Sequence, residues 1–600
     1  MKVLYEGEGE LIGWHDPDEN REWILRNKSR ALADKTMELK EAIRKFVPKE
    51  SVLALGGFGA IRTSLAAVYE IIRQGIADLT LLGKTAAHDL DVLIGGGVVS
   101  KVEAAYSFAH EMRGLSPAGR RAVETGEVEV VAEISNAGFQ WRFLGGMMGV
   151  PFVPTRTMLG TETLQKSSAK VVEDPFTRKP ICLVPSVNPD VAIIHVPRCD
   201  RFGNCQIDGA VIEDFELARA ARRLIITTET LIDNETIRSA PEKTLIPFFL
   251  VDAVVEVKYG AHPAQMPYLY YFDEEHIGEW LKKAKTEEGL KDYLDRYIYG
   301  VNDFSEYLLL IGGEEQMKYL YEVEHYRKSL KAPWLDKKHV HGKSKIEGFT
   351  SAQIMTVAAA KVLEDNSTVF VGTGLPMIAA MFAQRTHAPN LVLIFEAGSI
   401  GPQIRLLPIS VGESRTYYRA LATSSMHDTM SLSQAGWLDY GFLGAAQIDK
   451  YGNINTTFIG DSWKRPIVRL PGSGGANDVG SFCRKTIIIM KQTKERFVAE
   501  LDFMTTPGYL GGLNQREAAG LPKNTGPIKV ISQLGVYDFD GKTKEMRLEA
   551  IHPGVSVEDI KKNSSFEIIT PSIIRKTLLP TPEEIALLQE LDPTGMAIGK

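Results

Sequence analysis

Residues 391–401 read Leu-Val-Leu-Ile-Phe-Glu-Ala-Gly-Ser-Ile-Gly. The five apolar residues predict a buried strand, and Glu396 follows that strand directly, just ahead of Gly398. In an open α/β sheet, a strand-end carboxylate beside backbone that a ligand can approach closely is typical of an active site. The alternative is a glutamate that caps a turn or pairs with a nearby arginine, which is a common structural role.

Three segments of the chain occur twice, which indicates two related halves. Each copy combines an apolar strand candidate with a polar or glycine-rich turn. Repeats this far apart indicate duplicated domains, and strands alternating with helices predict parallel sheets covered on both faces. The predicted fold class is therefore α/β, with two homologous open parallel-sheet domains in tandem. The matching segments are 51–59 with 367–374, 200–204 with 449–453, and 223–227 with 485–490.

Composition sets the domain boundaries. Residues 1–35 are charged and lie outside the repeat, so we expect a helical N-terminal extension. Residues 36–325 form the first predicted domain and 345–600 the second. Between them, 326–344 is basic and punctuated by proline and glycine, which predicts a solvated linker rather than a binding site.

The overall composition excludes several classes of function. With 44% hydrophobic and 24% charged residues the chain is typical of a globular protein, and its net charge of −7 gives no basic surface for nucleic acid. Neither an apolar run of membrane-spanning length nor a secretory signal is apparent, so we expect a cytoplasmic protein without a membrane partner. Of the four cysteines, Cys199 and Cys205 are expected to be reduced, partly buried thiols. The histidines lack metal-ligand spacing, so no metal site is predicted.

The duplication makes Glu396 more informative. In the first half the equivalent strand is 79–82, and it runs into Gly-Lys-Thr-Ala-Ala-His at 83–88 without a carboxylate at the matching place. Because the sister domain does without it, Glu396 is not required by the fold. This comparison favours a functional role.

Three glycine-rich turns follow strand candidates. None matches a dinucleotide fingerprint or a P-loop, and tight packing between a strand and a helix would also explain each of them. Together they could place backbone N–H groups around a developing oxyanion, or admit a phosphate or pantetheine chain near helix N-termini. The turns are Gly-Gly-Phe-Gly at 56–59, Gly-Thr-Gly-Leu-Pro at 372–376 and Gly-Ser-Gly-Gly-Ala-Asn at 472–477.

With Glu396-Ala397-Gly398 and the turn at 472–477, the chain resembles the family I CoA-transferases, glutaconate CoA-transferase in particular. The two subunits of that enzyme correspond to residues 36–325 and 345–600, fused here into one chain. The resemblance covers most of the chain in the right order. Its further motifs lie at 55–58, 73–80, 190–195, 259–263, 371–376 and 446–453.

The resemblance implies that Glu396 is the covalent nucleophile of a ping-pong reaction. An acyl-CoA donor would pass CoA to Glu396 as a glutamyl-CoA thioester, and a carboxylic acid, expected to be a dicarboxylic acid, would then accept it. Coenzyme A is thus implied as a substrate with no permanent cofactor, and homo-oligomers are the family habit. The candidates for oxyanion and CoA contacts are Gly372, Thr373, Gly374, Gly398, Gly472, Ser473, Gly474, Gly475 and Asn477.

Lys84 and His88 depart from the family pattern, because glutaconate enzymes carry very small residues after the first-half strand. Either Lys84 pairs with the distal carboxylate of an acid substrate, or it is a surface lysine beside a helix-capping His88. The second interpretation is slightly favoured, and in both cases glutaconate is doubtful as the substrate. The remaining candidates for substrate binding are Gly57, Phe58, Glu111 and Arg113, together with Arg62 and Arg405.

Two rival functions stay open. The same fold hosts a ring-opening hydrolase of steroid breakdown and a decarboxylase, and Glu111 beside Arg113 resembles the acid that such a site would use. Glu111 could equally be an exposed helix residue paired with a neighbouring arginine. Those relatives do not keep the second-half glutamate as a nucleophile, so Glu396 favours transfer. A non-catalytic acyl-CoA sensor is the third class, and it is disfavoured because no DNA-binding or partner-binding module is evident.

Overall fold

The computed structural model describes residues 2–332 and 348–599. Most of the predicted linker at 326–344 lies outside these described residues. Along the two described ranges, no helix is both long and apolar enough to cross a membrane.

The first half is built around a seven-stranded sheet. Its order is β14-β12-β9-β2-β3-β4-β5, and every neighbouring pair in it is parallel. The strands are β1 (Val3–Glu6), β2 (Val52–Leu55), β3 (Leu79–Gly83), β4 (Val99–Ala104), β5 (Glu129–Glu133), β6 (Phe152–Thr155), β7 (Lys170–Glu173), β8 (Pro180–Pro185), β9 (Val191–Val196), β10 (Arg198–Cys199), β11 (Cys205–Gln206), β12 (Arg223–Thr228), β13 (Thr244–Ile246) and β14 (Ala253–Glu256).

Helices cover both faces of this sheet. Strands β3 and β9 are therefore buried along their whole length, which explains their continuous apolar sequences. The helices are α1 (Pro17–Asn27), α2 (Leu39–Phe46), α3 (Leu65–Arg73), α4 (His88–Gly95), α5 (Pro117–Thr125), α6 (Asn136–Met148), α7 (Glu162–Gln165), α8 (Asp214–Ala220), α9 (Asn234–Ser239), α10 (Glu274–Lys283), α11 (Glu287–Leu294), α12 (Phe304–Leu310) and α13 (Gly313–Glu324).

The second half contains a ten-stranded sheet of order β18-β17-β16-β15-β19-β24-β25-β26-β27-β28. The strands are β15 (Thr368–Val371), β16 (Val392–Phe395), β17 (Ser399–Ile400), β18 (Ala422–Thr423), β19 (Tyr440–Leu443), β20 (Gln447–Ile448), β21 (Ile454–Asn455), β22 (Phe458–Ile459), β23 (Val468–Arg469), β24 (Lys485–Ile489), β25 (Pro527–Ile531), β26 (Gly535–Phe539), β27 (Met546–Ile551) and β28 (Arg575–Lys576). The helices are α14 (Ser351–Ala360), α15 (Leu375–Arg385), α16 (Met426–Ala435), α17 (Ala476–Phe482), α18 (Gln515–Ala518), α19 (Val557–Lys562) and α20 (Pro582–Leu591).

The two sheets confirm the predicted duplication. The parallel run β12-β9-β2-β3 of the first half corresponds to β24-β19-β15-β16 of the second. The repeated turn also makes the same hydrogen bond in both halves. Asp200 Oδ1 accepts the N–H of Asn204, and Asp449 Oδ1 accepts the N–H of Asn453. The second sheet differs in that antiparallel strands extend it on both sides of its parallel centre.

The N-terminal residues are more than a helical extension. Helix α1 is present, but β1 also adds to the first half by pairing antiparallel with β7. Both predicted thiols are free, and Cys199 lies opposite Cys205 in the β10–β11 pair. They are fully buried rather than partly buried.

The halves meet through buried polar contacts. Arg469 of the second half forms a two-pronged ion pair with Glu133 at the end of β5, at 2.5 and 3.1 Å, and both side chains are almost completely buried. Asn477 accepts the N–H of Met158 at 2.9 Å. These contacts bring the carboxyl ends of the two parallel sheets to a shared cleft.

Candidate active site

Glu396 lies where β16 ends, as the sequence predicts. Its carbonyl oxygen accepts the Thr429 hydroxyl at 2.9 Å. Gly398 makes the following turn possible, because its φ is +115° and a Cβ there would lie 2.0 Å from the Ser424 carbonyl oxygen. The carboxyl group is thereby directed away from the strand and toward the first half of the chain.

Asn136 of the first half holds the Glu396 side chain. This residue opens α6, after Ser135 caps the helix. Its Nδ2 donates to Glu396 Oε1 at 2.6 Å and to Thr85 Oγ1 at 2.9 Å. A hydrogen bond to the ionised carboxylate both orients it and favours its charge.

The glycine turn at 472–475 forms the wall beside this carboxyl group. The N–H of Gly472 donates to the Thr456 carbonyl at 2.9 Å, and that of Gly474 donates to the Ala105 carbonyl at 3.1 Å. A Cβ on Gly475 would lie 2.6 Å from Glu396 Oε1. The turn is therefore fixed against the first half, and Gly475 lets the carboxyl group approach the backbone.

A cavity of about 280 Å³ surrounds these groups. Both halves contribute to it, as expected for a site at the carboxyl ends of parallel strands. Among the residues that the structure describes, the cavity is lined by two carboxyl groups but by no lysine, arginine or histidine. The first half contributes Phe58, Thr85, Tyr106, Glu111 and Asn136, and the second half contributes, among others, Phe370, Gly372, Thr373, Glu396, Val411, Gly444, Thr456, Gly472, Ser473, Gly474 and Gly475.

The carboxyl groups of Glu396 and Glu111 both have pKa values raised well above the usual range of a glutamate. Burial is the main cause for Glu396, whose pKa is raised to about 7; the nearby charges of Asp478 and Glu111 add to the rise, and the Asn136 hydrogen bond opposes it. Burial also raises the pKa of Glu111 to about 7, against the influence of Arg113 and a hydrogen bond from Ser410. Each carboxyl group thus changes its charge near neutral pH.

Lys84 and His88 do not lie on the cavity, and the expected surface positions are wrong. Lys84 is buried, where its Nζ binds Glu213 and the carbonyl oxygen of Gly57. His88 is the first residue of α4 but makes no cap hydrogen bond, and its ring packs edge-on against Trp280 with centroids 5.9 Å apart. Both side chains are covered by neighbouring elements that the local sequence does not reveal.

Glu111 is not the exposed, arginine-paired residue of the alternative interpretation. It begins a short 3₁₀ turn and lines the cavity, whereas Arg113 donates instead to Glu274 at 2.8 Å. The structure brings Glu111 and Glu396 to one cavity although 285 residues separate them in sequence.

The other predicted residues divide into two groups. Phe58, Gly372, Thr373, Gly472, Ser473, Gly474 and Gly475 line the cavity. The others lie outside the cavity lining. The Gly57 N–H donates to Asp214, Arg62 pairs with Asp214 at 2.5 Å, and Asn477 bridges the halves. Gly374 precedes α15, Gly398 packs on Ser424, and Arg405 is exposed over the Tyr418 ring.

Asn136 and Tyr106 are lining residues that the sequence analysis did not single out. Asn136 follows Ser135 two residues after the end of β5, and a polar pair just beyond a sheet strand is a signal that could have identified it. Tyr106 has no comparable signal, since it lies in a loop.

A duplicated α/β fold with a carboxylate-bearing cavity between its halves defines the class: a two-domain α/β enzyme whose site needs both domains. The family model for coenzyme A transferase matches residues 36–257 and 352–563. The chain belongs to this family.

Single subunits of two CoA-transferases each match one half of the chain. One subunit of the glutaconate CoA-transferase from Acidaminococcus fermentans is 35% identical over 297 residues, 46% of this chain and 92% of the relative. One subunit of the 3-oxoadipate CoA-transferase from Pseudomonas knackmussii is 37% identical over 248 residues, 41% of this chain and 95% of the relative. An Escherichia coli O157:H7 acyl-CoA transferase, solved as a thioester complex with CoA, covers 95% of this chain and 99% of its own at a TM-score of 0.63, and at 15% identity it shows the fold alone.

Gly475→Ala is expected to lower kcat/KM for CoA transfer about 100-fold, since the added Cβ would displace the Glu396 carboxyl group. Stability should hardly change, because φ at Gly475 is −79°, which alanine adopts freely. Steady-state kinetics and thermal unfolding measure the two effects. Gly278→Ala, in open space on α10, is the control, and an unaltered rate for Gly475→Ala would contradict the close approach.

Proposed function

We propose that the protein transfers CoA from an acyl-CoA to a carboxylic acid through a glutamyl-CoA thioester on Glu396. The observation that carries the proposal is the Glu396 carboxyl group, which lines a cavity between the halves and is held by Asn136 against the glycine turn. The glutaconate and 3-oxoadipate CoA-transferases named above support the same reaction class.

The reaction begins when a carboxylate oxygen of Glu396 attacks the thioester carbonyl carbon of the donor. The C–S bond breaks, leaving a mixed anhydride and CoA thiolate. The thiolate attacks the glutamyl carbonyl carbon, the C–O bond of the anhydride breaks, and the donor acid leaves. The acceptor carboxylate then repeats these steps in reverse, so the thioester bond is conserved and no water is consumed.

The cavity suits these steps in two ways. Its many apolar lining residues limit water, which would hydrolyse the anhydride. Among the predicted oxyanion donors, the N–H groups of Gly472 and Gly474 already bind protein carbonyls, so we assign the role to the backbone of Gly372, Thr373, Ser473 and Gly475.

Hydrolysis or C–C cleavage of an acyl-CoA is the second candidate, and one observation favours it. Glu111 lies in the same cavity with a pKa raised to about 7, which suits a general acid or base at neutral pH. In that case water or a substrate carbon, rather than Glu396, would be the reacting group.

Trapping the intermediate separates the two candidates. The intact protein is incubated with a panel of acyl-CoAs and then reduced with borohydride. Its mass is measured by mass spectrometry. Transfer predicts that borohydride reduces the Glu396 thioester to an alcohol in the wild type, with release of CoA, and leaves the mass of Glu396→Ala unchanged. Release of free CoA or carbon dioxide by both proteins, without reduction of Glu396, would overturn transfer and favour the second candidate.

The pH dependence offers a paired prediction. Glu396 must be ionised to attack, so kcat/KM should rise with pH through about 7, where its carboxyl group loses its proton. Glu111→Gln removes a charge that raises this pKa and should move the rise to lower pH, whereas Asn136→Ala removes a hydrogen bond that lowers it and should move the rise to higher pH. Shifts in the same direction would contradict Glu396 as the titrating group.

The expected homo-oligomer and the cytoplasmic location remain predictions of the sequence. Sedimentation of the purified protein and fractionation of the source cells would test them.

A further inference from the structure

Positive charge lies on one side of the cavity. Gly444 also lines a neighbouring cavity of about 320 Å³, whose walls include Lys491 and Arg496. Within the described ranges, these are the cations in the linings of the two cavities. The phosphates of CoA are attracted to positive charge, so the nucleotide end of an acyl-CoA is favoured on the Gly444 side. The acyl chain then extends from Glu396 away from the Gly444 side.

Glu111 lines the cavity that holds Glu396 and does not line the neighbouring one. Its carboxyl group accepts hydrogen bonds from the Ser410 hydroxyl and the Val411 N–H, which fix it in place. Its Oε2 lies 3.6 Å from the position that a Cβ on Gly59 would take, so the loop that carries Phe58 closes over it. An acyl chain in this cavity meets the Phe58 ring, the Tyr106 side chain and the Glu111 carboxyl group.

Arg113, which acts on the Glu111 charge, and Arg415, which lies beside Glu413, already have partners. Arg113 donates to Glu274 at 2.8 Å, and Arg415 lies 3.7 Å from Glu413 and over the Tyr271 ring. A second substrate carboxylate would therefore lie in the same cavity as Glu396 and Glu111. Among the described lining residues, no cation would be there to pair with it. Like charges that share one partly desolvated cavity repel strongly, and this repulsion is present above about pH 7, where Glu111 is ionised.

Building on the proposed function, we infer that Glu111 selects the acyl group: the acids that exchange CoA here end in an uncharged or hydrogen-bond-donating group, not in a second carboxylate. Glu111 is a specificity-determining residue in this role. Monocarboxylic acids are favoured in this role over the dicarboxylic acid expected from the resemblance, which stays a prediction. A distal hydroxyl group is the best fit to the carboxylate acceptor.

The test compares acids of equal carbon number: pentanoate, 5-hydroxypentanoate and glutarate, each as acceptor from the donor identified by trapping. We expect kcat/KM for both monocarboxylic acids to exceed that for glutarate at least about tenfold in the wild type. At a pH above 7, where Glu111 is ionised, Glu111→Gln should reduce this ratio about tenfold, because glutarate improves once that negative charge is gone. A ratio between two acids does not depend on how much of a variant folds.

Glu216→Gln is the matched control, since Glu216 is another buried carboxyl residue with a pKa raised to about 7, but it lies outside the cavity lining. Its ratio should equal that of the wild type, and Glu111→Ala should repeat the result of Glu111→Gln. Preference of the wild type for glutarate, or a ratio that Glu111 variants leave unchanged, would overturn the inference. Failure of every acid to accept CoA would overturn the proposed function itself.

Discussion

Glu396→Gln is expected to lower kcat/KM for CoA transfer by about 10³-fold or more while the fold survives. The amide keeps the size of the side chain but lacks the negative oxygen that attacks the thioester, and loss of a covalent nucleophile removes the whole route. Steady-state exchange between an acyl-CoA and a labelled acid measures the rate, and circular dichroism checks the fold.

Glu396→Asp provides the matched control for this variant. It retains the carboxylate but withdraws it by one methylene, so an intermediate loss of activity is expected from misplacement alone. If Glu396→Gln exchanged CoA at the wild-type rate, the carboxylate would have no covalent role, and Glu111 would be the next residue to replace.

The second large effect is expected at the ion pair between the halves. Arg469→Met should destabilise the protein by about 3–5 kcal/mol, because it leaves the buried Glu133 carboxylate without its charged partner. The Trp463 indole still donates to Glu133 at 3.0 Å but brings no charge. Urea unfolding followed by fluorescence and circular dichroism gives the shift in stability.

Two further variants show whether the stability change of Arg469→Met comes from the buried charge. Lys464→Met breaks an exposed ion pair with Glu129 across the same boundary and should leave the urea midpoint nearly unchanged. Adding Glu133→Gln to Arg469→Met should restore part of the lost stability, since no uncompensated charge stays buried. Equal effects of Arg469→Met and Lys464→Met would show that burial of the first pair does not matter.

The local sequence was sufficient for the strand at 392–395, the carboxylate after it and the duplicated turns. These depend on apolar runs and on turn residues that act within a few positions of one another. For the same reason the match between the parallel centres of the two sheets was predictable, whereas the antiparallel strands at the edges of the second sheet were not. The outermost strands of that sheet, β18 and β28, are two residues long and exposed, so their patterns are weak.

Lys84 shows where this reasoning fails. A lysine in a turn is usually exposed, and nothing in the neighbouring residues points to Glu213, which lies 129 residues later and neutralises it in the interior. The predicted pairing of Glu111 with a neighbouring arginine is wrong for the same reason, because Arg113 binds Glu274 instead.

By itself, the sequence determined the α/β class, the duplication, and the position of Glu396 at a strand end, because periodicity and turn chemistry act locally. Only the tertiary structure decided that Asn136, 260 residues away, would hold that carboxyl group, and that Glu111 would share its cavity. Packing of the two sheets end to end brings these distant residues together, and the resulting burial raises the pKa of both carboxyl groups toward neutrality.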